Sequence, residues 1–304
     1  MNNIKFENLP ISNDFMFKKV MQNKYLCQKL VSAIMQRDIA DIVYTETEKT
    51  LDPYYDSRGV RLDVIVDDER GTRYNLEMQV KNTLRETTGE PLLPKRTRYY
   101  QSVMDMDMLH KGQDFDELNP LILIFICDFD LFGEGRYVYT FKSRCLENLA
   151  LELKNDVTVL LLNAQGTRGD VSPLVKNFLQ YVGGQFPADA FTQEVEAEVI
   201  KLRHDKETRR EYMVLSTRLK DERMAGRAEG REEGRAEGLE EGRAEGRASG
   251  REEGMIAAEA KERQSTAIEM LKDKESLTKI AKYSRLSEEE IYALAGEHGL
   301  EVVK

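Results

Sequence analysis

Asp63, Glu77, Gln79 and Lys81 are the side chains whose types and spacing could do chemistry together. They fall in two apolar runs, residues 60–66 and 74–80, separated by Asp67-Asp68-Glu69-Arg70-Gly71-Thr72. Apolar runs of that length on either side of turn-forming residues predict a β-hairpin with a longer loop. Strand alternation then places Leu62, Val64 and Val66 on one face, with Asp63 and Ile65 on the other. In the second strand Leu76, Met78 and Val80 share a face, and Glu77, Gln79 and Lys81 share the opposite one. One face so built carries two carboxylates, an amide and an ammonium. Hard divalent cations take oxygen ligands, and Mg²⁺ uses one or two carboxylates completed by water and phosphate oxygens. A metal held there polarises a phosphoryl oxygen and acidifies a water for attack. The same pattern also describes two solvated acids on the outside of a hairpin, and spacing alone does not separate the two readings.

The elements around this hairpin follow from periodicity. Residues 12–22 and 24–37 carry Phe15, Val20, Leu26, Leu30, Val31 and Ile34 at helical spacing. Ser12, Asn13 or Asp14 can cap the first of these helices. Asp14 is either a third carboxylate for the hairpin site or an acid placed to meet the helix dipole. Residues 41–47 predict a strand, and residues 51–59 a polar turn region feeding the hairpin. Arg61 lies two residues before Asp63, where it can pair with a carboxylate or reach a phosphate. Pro91 and Pro94 precede a helix predicted over residues 95–110. Its start gathers Lys95, Arg96, Arg98, Tyr99 and Tyr100, suited to a phosphate backbone or, alternatively, a solvated basic face with tyrosines in the core. Residues 121–127 (LILIFIC) predict a strand buried on both faces. Residues 136–141 and 157–162 predict further strands, and residues 173–181 a helix. The sum is a mixed α/β core.

The motif, Asp63 followed by Glu77-x-Gln79, resembles the PD-(D/E)XK nuclease superfamily. The wording RLDV…YNLEMQ is similar, more closely, to its recombination-promoting nuclease and transposase family. Residues 13–20 (NDFMFKKV) resemble that family's opening helix, and residues 95–100 (KRTRYY) its basic, aromatic helix after the motif. The resemblance spans roughly residues 8–185. It implies a restriction-endonuclease-like core, a mixed sheet flanked by helices, and metal-dependent cleavage of DNA in support of recombination. It implies Mg²⁺ or Mn²⁺ held by Asp63 and Glu77, with Asp14 as an optional third ligand. Gln79 stands where most relatives of the wider superfamily carry a lysine. A neutral amide orients water but does not favour hydroxide as an ammonium would. Lys81, two residues on, is a candidate for the missing charge. Arg61, Lys95, Arg96, Arg98 and Tyr99 are the candidate DNA contacts.

Composition bounds the alternatives. The 304 residues are 40% hydrophobic and 33% charged, with a formal net charge of −10. That balance opposes a generally basic nucleic-acid binder, though not a local basic strip working beside a metal. No apolar run reaches the length of a membrane span, and residues 1–10 lack a hydrophobic signal core. The expected location is cytoplasmic. Cys27, Cys127 and Cys145, like His110, His204 and His298, are scattered and form neither a disulfide framework nor a zinc ligand set.

A second region follows. Gly226, Gly230, Gly234, Gly238, Gly242, Gly246, Gly250 and Gly254 recur every fourth residue, most of them followed by arginine. On a helix each four-residue step turns about 400°, so each stripe creeps by roughly 40° per repeat. Glycine costs up to about 1 kcal/mol per residue against alanine in a helix. The repeat therefore reads either as a weakly helical spacer or as a helix that associates with a second copy of the chain. Beyond it, Ser287 and Glu290 form a capping box in a small helical unit. The expected division is residues 1–187 for the nuclease-like core, 188–258 for the charged helix and repeat, and 259–304 for the terminal unit. The competing reading is a catalytically degenerate core that binds DNA or scaffolds an oligomer.

Overall fold

The computed structural model describes residues 5–45, 50–51, 60–85 and 87–303, with residues 50, 51, 60 and 61 described by their backbone alone. The expected turn over residues 52–59 and the end of the first strand at residues 46–47 lie outside the described residues.

Two helices open the chain, α1 (Asp14–Met21) and α2 (Lys24–Met35). Of the three candidate caps it is Asn13 that closes α1, its side chain accepting from the Met16 amide, and Asn23 does the same for α2. A six-stranded sheet follows, ordered β1-β4-β5-β6-β8-β7. Its members are β1 (Ile42–Tyr44), β4 (Val64–Asp68), β5 (Arg73–Gln79), β6 (Leu121–Cys127), β7 (Val138–Phe141) and β8 (Val157–Asn163). The strands β2 (Thr50–Leu51) and β3 (Val60–Arg61) make a separate two-stranded ladder. Strands β5, β6 and β8 are parallel, and β1, β4 and β7 run against their neighbours. The crossover from β5 to β6 carries α3 (Leu93–Met108), with Pro94 tolerated in its first turn.

Burial on both faces explains the unbroken apolar run of β6. Ile122, Ile124 and Ile126 join a core with Val64, Val66, Tyr74, Leu76 and Met78, under α1, α2, α4 (Pro173–Val182) and α5 (Ala190–His204). Leu121, Leu123, Phe125 and Cys127 point the other way, into a core with Ile65 and with Leu93, Tyr100, Val103 and Met104 of α3. Of the hairpin's two faces, the one bearing Ile65 and Glu77 is thus covered by α3 and buried, not solvated.

The hairpin departs from its expected form in two ways. Asp67 and Asp68 belong to β4, and the reversal is made by residues 69–72. There the Asp68 carboxylate accepts from the Arg70 and Thr72 amides, each at 2.9 Å, and Gly71 supplies a φ of +79°. The strand expected over residues 60–66 is also interrupted at Leu62 and Asp63. Here side-chain oxygens take up backbone N–H groups, and the bend turns Leu62 into the α3 core beside Ile65 instead of alongside Val64 and Val66.

Residues up to Ser216 form one compact unit and those from Thr217 a second. The boundary expected at residue 187 falls inside the first, because α5 buries Phe191, Val195 and Val199 in the main core. Tyr212 of α6 (Lys206–Lys272) stacks near Phe6 and Phe15, with centroids at 5.5 and 5.2 Å. The period-four repeat lies wholly within α6 as helix, and a Cβ added at any of its eight glycines would meet nothing within 4 Å. In the second unit the end of α6, α7 (Leu277–Ser284) and α8 (Glu288–His298) share a small core of Ala267, Leu271, Leu277, Ile280, Ile291, Leu294 and Ala295. The expected capping box of Ser287 and Glu290 opens α8.

Candidate active site

The register of β4 on β5 sets Val64 opposite Leu76 and Ile65 opposite Asn75. One step further along that register, Asp63 meets Glu77. The two residues bracket each other. The Asp63 amide donates to Glu77 Oε1 at 3.0 Å, and the Met78 amide donates to Asp63 Oδ2 at 3.0 Å. Each carboxylate thereby gives one oxygen to the opposing strand's backbone and is held in place by it.

Glu77 is 2% exposed. Its carboxyl is held well above the usual carboxylate range, first by burial and then by the charge of Asp63. The Asp63 carboxyl is pushed up to about 6, chiefly by burial and further by the charge of Asp14; the Met78 amide and the cations Lys18 and Arg96 act against that rise. Asn75, two residues before Glu77 on the same face and fully buried, turns its amide toward Glu77 and lowers its carboxyl. That approach falls short of a full hydrogen bond, and neither polar atom of the amide has another partner.

Arg96 closes the site from α3. Its Nη1 donates to Gln79 Oε1 at 2.7 Å and its Nη2 to Tyr100 Oη at 2.7 Å. The guanidinium lies 5.3 Å from the Tyr100 ring centroid, and that ring packs 5.9 Å from Phe125. The other end of α3 is tied to the hairpin by Arg73, which donates to Asp67 at 2.8 Å and to Asp107 at 3.1 Å. The helix that carries Arg96 is therefore pinned to the strands that carry the acids.

Of the residues expected from sequence, the structure brings together Asp63, Glu77 and Gln79 with Arg96, which was expected as a DNA contact. Lys81 lies past the end of β5, exposed, and the cation that reaches Gln79 is Arg96. Asp14 heads α1, exposed, its carboxylate accepting from the Phe15 amide at 2.9 Å, and it acts on Asp63 through its charge. Among the described residues no three His, Cys, Asp or Glu side chains converge as a metal cluster. The basic start of α3 divides. Lys95 and Arg98 are exposed, Tyr99 packs against the α3 core, and Arg96 turns inward. The side chain of Arg61 lies outside the described residues.

Asn75 and Lys18 adjoin the site and escaped the sequence reading, and Tyr100, read there with the basic cluster, holds Arg96 instead. Asn75 carried a signal, since it shares the alternation of Glu77 and Gln79. Tyr100 carried another, sitting four residues after Arg96 on one helix face. Lys18 had none, lying in an apolar stretch of α1.

The donor set suits a hard divalent cation. The buried Glu77 and half-buried Asp63 carboxylates, both pushed up by desolvation and Glu77 also by the charge of Asp63, are short of positive charge, and each keeps an oxygen beyond the one given to backbone. A family model described as PD-(D/E)XK nuclease family transposase matches residues 11–163. That stretch holds the whole six-stranded sheet and every residue of the site, and the mixed sheet with flanking helices is the restriction-endonuclease-like arrangement of such nucleases. No curated protein matches the chain, and no solved structure does.

Proposed function

The chain belongs to the PD-(D/E)XK nuclease family transposases, and from that premise we propose that it is a divalent-metal-dependent DNA endonuclease that cuts phosphodiester bonds in support of recombination. The observation that carries this reading is the reciprocal bracket of Asp63 and Glu77, a half-buried acid just before β4 and a buried one on β5, each fixed by the other's backbone. Asp63 and Glu77 would hold Mg²⁺ or Mn²⁺, which supplies charge to the phosphoryl oxygen and lowers the pKa of the attacking water. The chain's own groups do the rest. The β4–β5 register sets the two carboxylates before any ligand arrives, so little reorganisation is needed on binding. The α3 helix walls one side of the site and limits water. Gln79 presents an amide to the reacting phosphate, and Lys95 and Arg98 on the exposed start of α3 meet the flanking backbone, with Arg61 and Tyr99 as further contacts.

The test is nicking of supercoiled plasmid with Mg²⁺ or Mn²⁺ by the wild-type chain, Asp63→Asn and Glu77→Gln. Cleavage by the wild type and its loss in both variants, with the fold retained, supports the reading. Retention of DNA by all three with no cleavage points to the degenerate binding core. In either case the repeat of α6 is proposed to associate with a second copy. Along one helix its period of four sets Arg227 over Arg231 and Glu229 over Glu233, so like charges are neighbours. A second helix would bring the arginine stripe against the glutamate stripe. No helix is long and apolar enough to cross a membrane among the described residues, and a cytoplasmic location is proposed with that.

A further inference from the structure

We infer that Arg96 is the residue that makes Gln79 work: it turns the Gln79 amide so that the NH₂ group, not the carbonyl, is offered to the substrate phosphate, and it stations the site's positive charge one residue behind that donor. The inference rests on the nuclease reading above and adds to it the source of the cation.

Three observations carry it. Arginine donates and never accepts, so the group 2.7 Å from Arg96 Nη1 must be the Gln79 carbonyl oxygen. With the oxygen committed to Arg96, the nitrogen is turned the other way. Among the described residues no protein group accepts from that nitrogen, which reaches solvent although Gln79 as a whole is 8% exposed. A buried amide with its donors unclaimed and its acceptor locked is a prepared donor for an oxygen anion.

Next, Arg96 is itself immobilised. Nη2 is held by Tyr100 Oη at 2.7 Å, the guanidinium lies against the Tyr100 ring, and Tyr100 is 7% exposed between α3 and β6. The two acceptors are reached by two different nitrogens of one planar fork, a geometry that an ammonium does not reproduce.

Finally, Arg96 is half-buried beside Gln79 and Tyr100, and its charge opposes the rise of both acids of the bracket. A lysine at position 79 would combine donor and cation in one side chain. Here the two duties are split between Gln79 on β5 and Arg96 on α3.

The experiment is a double-mutant cycle on plasmid nicking in Mg²⁺, read as kcat and KM separately, with Gln79→Ala, Arg96→Ala and the double variant. Loss of a donor aimed at the reacting oxygen costs about 100-fold in kcat. Both single variants should show that loss with KM nearly unchanged, and the double variant should be no worse than either. Arg96→Lys should not restore kcat, because the ammonium cannot span Gln79 and Tyr100, while guanidinium ion added to Arg96→Ala should restore part of it. Losses that multiply to about 10⁴-fold, or an Arg96→Ala effect confined to KM, would overturn the positioning role. A readout without turnover covers the case in which the wild type proves inactive. The side-chain ¹⁵N–¹H pair of Gln79, assigned by its disappearance in Gln79→Ala, should move to the values of a solvent-exposed glutamine in Arg96→Ala and shift less in Tyr100→Phe. An unmoved pair sinks the inference whatever the enzyme does. Should Arg96→Ala fail to fold, Tyr100→Phe and Arg96→Lys carry both readouts.

Discussion

Replacing Asp63 by asparagine should stabilise the metal-free protein above pH 6 while abolishing cleavage. The carboxyl of Asp63 sits at about 6 in the fold against an ordinary 3.8. A group whose folded value is raised binds its proton more tightly in the native state than in the unfolded chain. Its stability contribution is complete below pH 4 and is lost as the pH climbs through 6. A rise of about two units corresponds to roughly 3 kcal/mol between those limits. Asp63 retains some solvent access, so we take about half, between about 1 and 2 kcal/mol. For a unit of this size that is about 3–6 °C in Tm.

Asparagine keeps an oxygen that can accept from the Met78 amide, so the bracket survives without the charge. In EDTA, scanning calorimetry should therefore show the wild type losing Tm from pH 4 to pH 7 and Asp63→Asn losing less, the variant being the more stable at pH 7. Mg²⁺ should reverse the order, raising the wild type at pH 7 and leaving the variant unmoved, because metal binding needs the carboxylate ionised. Equal pH dependence of the two proteins in EDTA, or a wild type more stable than Asp63→Asn at pH 7 without metal, would refute the reasoning that the acids are held apart from their charge by the fold.

Further outcomes follow from neighbouring contacts. Asn75→Leu removes a buried amide that lacks partners and should leave stability unchanged or raise it by about 1 kcal/mol in urea unfolding, while lowering plasmid cleavage; a loss of more than that stability would mean that the amide is satisfied in solution. Arg73→Ala breaks the tie from the hairpin to Asp107 of α3 and should cost about 2–3 kcal/mol, read in the same assay, with kcat falling because Arg96 rides on that helix. Alanine at Gly234, Gly238 and Gly242 should raise helicity by circular dichroism, each change being worth up to about 1 kcal/mol. Light scattering of the chain without residues 226–254 should give fewer chains per particle than the intact chain, and an unchanged number would remove the repeat from any assembly.

The acids of the site were legible because strand alternation is a local property. Asp63, Glu77 and Gln79 could be assigned to one face from their spacing, and hydrogen bonds join Asp63 to Glu77 and to its neighbour Met78. Which face was buried was not legible, because that depends on α3 returning over Ile65, Leu123 and Phe125. The break at Leu62 and Asp63 escaped for a related reason. A run rich in β-branched and apolar residues reads as one strand, and only the long-range exchange of bonds with Glu77 and Met78 interrupts it.

The cation beside Gln79 is not the one that alternation points to. Alternation continued past Gln79 points to Lys81, but β5 ends at Gln79 and the alternation has no meaning beyond it. The charge comes instead from a helix seventeen residues further along the chain, where sequence shows a cluster of basic side chains without saying which one turns inward. Helical geometry decides that. Arg96 and Tyr100 are one turn apart and share a face, and Tyr100 is the member of the pair that the core must bury against Phe125. Once the tyrosine is committed to the interior, the arginine one turn before it is carried to the edge of the sheet where Gln79 ends β5. Lys95 and Arg98, displaced around the helix, are left outside. Which of the basic side chains turns inward to Gln79 thus follows from the packing of an aromatic ring.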